Sequence, residues 1–210
     1  MNTQLLTTIS TNVLIKSGSE VLVDKANAIH PENMALAIAR GLSNADNHQI
    51  FKIKMGNQGT YVDSSAQIFF KQTITTGVNA DLYNPTYVEI VDDTNTGVGV
   101  GNSVTFTGIP ASTSKRVIIT AVISPNEAVN RPTDLGDATS SNGLDGLSAS
   151  PTEGQYFFDE LGLFTSGVGT NQLNDADELM LTHLVFSPIE HTGNRELTIV
   201  YSLTITVTGT

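Results

Sequence analysis

Residues 197–207 read Leu197-Thr198-Ile199-Val200-Tyr201-Ser202-Leu203-Thr204-Ile205-Thr206-Val207. Large apolar side chains occupy every odd position, and Thr, Ser and one Val fill the even ones. Successive side chains of an extended chain point to opposite faces, so a period of two puts one face in a core and the other on a wetter surface. Neither Gly nor Pro interrupts the run. It predicts a long strand and makes the fold β.

Working outward, the other apolar runs are short. Arg116–Ile123 (RVIITAVI) is β-branched and apolar at both parities, which predicts a central strand covered on both sides and ended by Ser124-Pro125. Further strands are expected at Val104–Thr107, His48–Met55, Gln67–Gln72, Tyr87–Val91, Gln155–Phe158 and Leu179–Phe186. Clusters of Gly, Asn, Asp or Pro separate most of them. The 210 residues include 27 Thr, 17 Ser and 17 Asn, a balance that favours strands and turns over helices. The expected fold is an all-β sandwich or jelly-roll-like domain over residues 30–210.

Three segments depart from this pattern. His30–Gly41 carries Pro31 and Glu32 at its start and Arg40 then Gly41 at its end, the order of helix start and stop signals. Met34, Ile38 and Leu42 would share its buried face. Residues 1–29 hold two apolar bursts, Val13-Leu14-Ile15 and Val21-Leu22-Val23, around Lys16–Glu20. They suggest a hairpin behind an N-terminal arm that a neighbouring subunit would order. Residues 126–154 form a long Pro- and Gly-containing stretch, expected as a functional or partner-bound loop.

Composition excludes several kinds of chemistry. The net charge is −11 with 10 Lys and Arg, and the isoelectric point is near 4.5, which argues against neutralising phosphates and so against nucleic acid. With no Cys, disulfides, thiolate nucleophiles and Cys-ligated metals are absent. No apolar run approaches the roughly 18 residues of a membrane span. The opening residues Met1–Leu6 lack the basic start of a signal peptide, so no membrane partner is expected. The acidity is uneven: residues 80–180 carry net −11, whereas residues 1–79 carry net +1, so subunits could meet through complementary surfaces.

No local motif supplies a catalyst. Gly97-Val98-Gly99-Val100-Gly101 lacks dinucleotide-fingerprint spacing and reads as a hairpin turn. The clusters Asp92–Thr96 and Asn174–Glu178 lack the register of a calcium loop and read as solvated loop tips. The histidines His30, His48, His183 and His191 form no metal-binding pair and read as strand-surface or turn residues. There is no GxSxG, and a glycosidase-type carboxylate pair would lack the Trp on which sugars commonly stack. We therefore expect no enzyme activity, no metal and no cofactor. Tyr61, Tyr83 and Tyr87 are the few aromatics that could serve a carbohydrate-binding surface.

A resemblance rests on motifs spread over residues 48–207. A basic-apolar strand ends in Gly56-Asn57-Gln58-Gly59-Thr60, followed by Asp81-Leu82-Tyr83-Asn84-Pro85. Then come Glu160-Leu161-Gly162-Leu163-Phe164, Phe186-Ser187-Pro188-Ile189 and Arg195-Glu196-Leu197-Thr198-Ile199-Val200-Tyr201. In this order the motifs resemble a broad group of tailed-bacteriophage virion proteins from neck, collar, tail and head. The resemblance implies a structural virion component, made in the host cytoplasm. A neck or collar protein in a symmetric ring at the head–tail junction is expected first. A capsid decoration protein or a carbohydrate- or receptor-binding tail sandwich is the alternative. Its partners would be further copies of itself and other virion proteins: portal or connector, tail, or major capsid protein. The residues expected to make assembly contacts are Leu5, Leu6, Val13, Leu14 and Ile15 in the arm, and Arg131, Leu135, Leu144 and Leu147 in the long loop.

Overall fold

The architecture follows from how the strands share two apolar faces. The computed structural model describes residues 5–91, 101–108, 113–125, 155–167, 176–192 and 194–209. A first antiparallel sheet has the order β2 (Glu20–Ala26), β1 (Leu5–Ser17), β12 (Leu197–Gly209), β9 (Ser114–Ile123) and β8 (Ser103–Gly108). A second has the order β3 (Ala28–Ile29), β11 (Met180–Thr192), β10 (Gln155–Thr165), β4 (Ile50–Gly56) and β7 (Pro85–Ile90). Val13, Ile15, Ile119, Ile199 and Tyr201 of the first sheet share one core with Ile53, Met55, Leu161, Leu163 and Phe186 of the second. The chain is an all-β sandwich.

The 197–207 strand lies at the centre of the first sheet, and its odd positions from Leu197 to Leu203 are buried. Two expectations about its neighbours need correcting. The segment expected as an arm is built into the sheet: β1 pairs with β12 along its length, from Leu5↔Gly209 to Lys16↔Thr198. The hairpin expected within residues 1–29 is β1–β2, but Val13, Ile15 and Val23 belong to the common core, so no domain boundary falls at residue 30. Strand β9 buries only Ile119, Ala121 and Ile123 fully. On its other face Ile118, Thr120 and Val122 are half-exposed.

Helix α1 (Pro31–Leu42) forms where its signals predict. The Nδ1 of His30 accepts the Asn33 amide at 3.2 Å, an N-cap made by an imidazole. Its buried face is Asn33, Met34 and Ala37, with Leu36 packed beside them. Ile38 and Leu42 are exposed, the latter 86 %. The face is thus rotated from the expected Met34–Ile38–Leu42 line, because the buried Asn33 side chain donates to the Met180 carbonyl at 3.0 Å and sets the helix against β11.

A two-stranded ribbon, β5 (Thr60–Val62) and β6 (Ile68–Phe70), lies beside the second sheet. From it the chain runs irregularly over residues 71–84 to β7. Leu82, Ile74 and Ala80 of this crossing pack with Phe164 and Met180. The crossing covers part of the second sheet's outer face.

Candidate functional site

Beneath the crossing lies a layer of buried charged side chains. In β4, Phe51, Ile53 and Met55 alternate with Lys52 and Lys54. The apolar set faces the core, so the lysines face the crossing, and both are fully buried. Lys52 Nζ stands 2.5 Å from Glu178 Oε2, and Lys54 Nζ stands 2.8 Å from Asp81 Oδ2 and also contacts Glu178 Oε1. The Lys54 ammonium sits 4.3 Å from the centre of the Phe164 ring, a cation–π contact. Among the described residues two cations meet two carboxylates here, so the buried charges are paired. Burial raises the Glu178 pKa, and the lysines offset that rise only in part.

A second group lies beside it on β10. The register with β11 passes from Phe158↔Ile189 to Glu160↔Val185. One residue, Asp159, therefore stands opposite three, Phe186-Ser187-Pro188, and the bulge falls where Pro188 has no amide to donate. The sequence Phe186-Ser187-Pro188-Ile189 is thus a bulge within a continuing strand and not a turn between elements. Through it both Asp159 and Glu160 become buried. Asp159 Oδ1 accepts the Gly59 amide at 2.8 Å, and its Oδ2 accepts the Thr60 amide at 2.9 Å and the Thr60 hydroxyl at 2.5 Å. Burial raises the Asp159 pKa and the nearby Glu160 charge adds to this, while the bonds from Thr60 and Gly59 act the other way.

Glu160 reaches across to the crossing. Its Oε1 accepts the Asn84 amide at 2.9 Å and the Gln58 amide at 3.4 Å, and its Oε2 accepts the Tyr83 amide at 3.0 Å. His183 completes the set. Its Nδ1 accepts the Ile74 amide at 2.8 Å, which places the ring hydrogen on Nε2, 3.1 Å from Glu160 Oε2. Two glycines let the backbone come this close. A Cβ on Gly56 would lie 2.5 Å from both the Asn84 carbonyl and Glu160 Oε1, and one on Gly162 would lie 2.9 Å from the Thr182 carbonyl.

Chemically, this layer fastens irregular chain to a sheet. The oxygens of Asp159 and Glu160 accept backbone amides of the chain itself, and those of Asp81 and Glu178 meet its lysines. Among the described residues no group of three or more His, Cys, Asp or Glu is arranged to hold a metal. No helix among them is long and apolar enough to cross a membrane.

Several expectations are revised by these positions. Glu178 is a buried ion-pair partner, not part of a solvated loop tip, and His183 is fully buried, not on a strand surface. His30 and His191 are also fully buried. Tyr87, considered for carbohydrate contact, is 2 % exposed. Of the assembly residues, Val13 and Ile15 are excluded because they are fully buried in the core. Leu14 is half-buried, and Leu6 is 60 % exposed. Leu5 pairs through its backbone with Gly209. Arg131, Leu135, Leu144 and Leu147 lie outside the described residues, as do Asp92–Thr96 and all of Gly97–Gly101 except Gly101.

The layer itself has one local signal, the alternation of Lys52 and Lys54 with Phe51, Ile53 and Met55. That pattern says the lysines face away from the core, and nothing local says that a distant segment covers them. Comparison of the chain with protein-family models, with curated proteins and with solved structures finds no match.

Proposed function

We propose that this chain is a non-enzymatic structural component of a tailed-phage virion, and foremost a neck or collar protein that assembles as a symmetric ring at the head–tail junction. The observation that carries this reading is the convergence of the resembling motifs. Gly56–Thr60, Asp81–Asn84, Glu160–Phe164 and Phe186–Ile189 lie far apart in sequence, yet they meet in one fastening layer. Four of the five motifs thus lie together, and the fifth, Arg195–Tyr201, runs into β12 of the first sheet. The layer's polar residues bond within the chain, which suits a scaffold better than a catalyst.

Electron microscopy of the purified protein tests the reading. Closed rings of fixed subunit number support the neck assignment, and ordered decoration of capsid shells favours the capsid alternative. Particles that remain single chains at every concentration, and that bind neither shells nor connectors, overturn both.

A further inference from the structure

Lys54 Nζ touches two carboxylates that come from different segments: Asp81 of the crossing, at 2.8 Å, and Glu178, just before β11. The lysine is fully buried, and the Phe164 ring closes one side of its ammonium. Leu82 and Met180 pack with that ring. Asp81 Oδ1 accepts the Leu82 amide at 2.8 Å, while its Oδ2 faces the lysine. The carboxyl carbon of Asp81 therefore lies one C–O bond beyond the contact. An ion pair needs one carboxylate. An amine held against two has what amide formation needs: a nucleophile, an acyl carbon within reach and a second carboxylate to move protons. Exclusion of water removes the competing hydrolysis.

We infer that Lys54 and Asp81 join in an intramolecular amide bond, with Glu178 as the base. One ammonium proton passes to the Asp81 carboxylate, which leaves a neutral amine and a neutral acid. The Nζ lone pair forms a bond to Asp81 Cγ, and the carbonyl π pair moves onto Oδ1, where the Leu82 amide donates to it. Glu178 takes a proton from the nitrogen, now positively charged, and delivers it to the Oδ2 hydroxyl. The Cγ–Oδ2 bond breaks with its electron pair on that oxygen, which leaves as water, and the Oδ1 pair restores the carbonyl. Nothing is oxidised or reduced, and Glu178 ends as it began.

The surroundings fit each step. Burial raises the Glu178 pKa, which suits a group that must hold a proton midway. Lys52 Nζ, 2.5 Å from Glu178 Oε2, steadies that carboxylate from its other oxygen. The Asp81 side chain is 30 % exposed, so the released water has a way out. The bond ties β4 to the crossing and closes residues 54–81, the β5–β6 ribbon among them, into a covalent loop. In a chain without Cys it gives the constraint that a disulfide gives elsewhere. It stands apart from the ring reading, since it forms within one copy.

Mass spectrometry of the full-length parent, intact and after trypsin, tests this. The parent should be lighter than its sequence by one water, and peptides 53–71 and 72–115 should appear joined through Lys54 and Asp81. Lys54→Arg and Asp81→Ala should each have the full sequence mass. In Glu178→Gln, shown to be folded by circular dichroism, the linked fraction of freshly purified protein should fall at least tenfold, as loss of a proton-transfer group requires. A parent at its full sequence mass overturns the proposal, whether or not any variant folds. A bond between Lys52 and Glu178 instead overturns the assignment to Lys54 and Asp81. A Glu178→Gln chain linked as fully as the parent overturns the role of Glu178.

Discussion

On the outer face of the first sheet, Thr198, Val200, Ser202 and Thr204 of β12 stand half-exposed. On the outer face of the second, Lys52, Lys54, Glu160 and His183 are sealed from solvent. Water satisfies the polar groups of the first face, so each can be changed at little cost. On the second face only the chain can satisfy them, and each buried charge needs a placed partner. The same layered fold therefore has a tolerant side and an exacting one. The exacting side is where the irregular chain of residues 71–84 is held.

Substitutions that separate the two faces sharpen the contrast. Glu178→Ala should have the largest effect, because it removes a carboxylate that contacts both buried lysines. A loss of about 3–5 kcal/mol in chemical denaturation is expected, as for breaking other buried pairs. A loss below about 1 kcal/mol, the scale of exposed pairs, would mean that solvent reaches the lysines.

Acidity gives a smaller, signed effect. Burial raises the Glu178 pKa above its ordinary 4.5, so the folded chain holds this proton more tightly than the unfolded chain does. The stability from this group is complete below 4.5 and is lost as pH rises through the raised value. Glu178→Gln removes the titration. The stability of the parent minus that of the Gln variant should therefore fall as pH rises above 4.5, and a difference that grows instead would reverse the sign of the shift. At the tolerant end, Thr204→Ser on the first sheet should change stability by no more than about 0.5 kcal/mol. A larger loss would show that this face is covered.

The contrast also explains what could be read from residues alone. The parity of residues 197–207 places β12 correctly, because alternation reports directly which side chains share a face. It does not report what lies over a face. For that reason Arg116–Ile123, apolar at both parities, reads as doubly covered although one side is half-exposed, while the alternation of Lys52 and Lys54 with Phe51, Ile53 and Met55 gives no sign that the lysines are buried. His183 and Glu178 are misread in the same way, since their partners lie 23 residues or more away in sequence. The arm reading failed because β1 alternates less cleanly than β12, and only its pairing with β12 brings Val13 and Ile15 into the core.

The central claim is that buried carboxylates fasten irregular backbone to the second sheet, and native-state hydrogen exchange tests it most directly. The amides of Gly59, Thr60, Tyr83 and Asn84 should exchange as slowly as those of neighbouring β10, and in Glu160→Ala the Tyr83 and Asn84 amides should accelerate by at least tenfold while those of Gly59 and Thr60, held by Asp159, should not. Exchange of these four amides at exposed-loop rates in the parent would contradict the account.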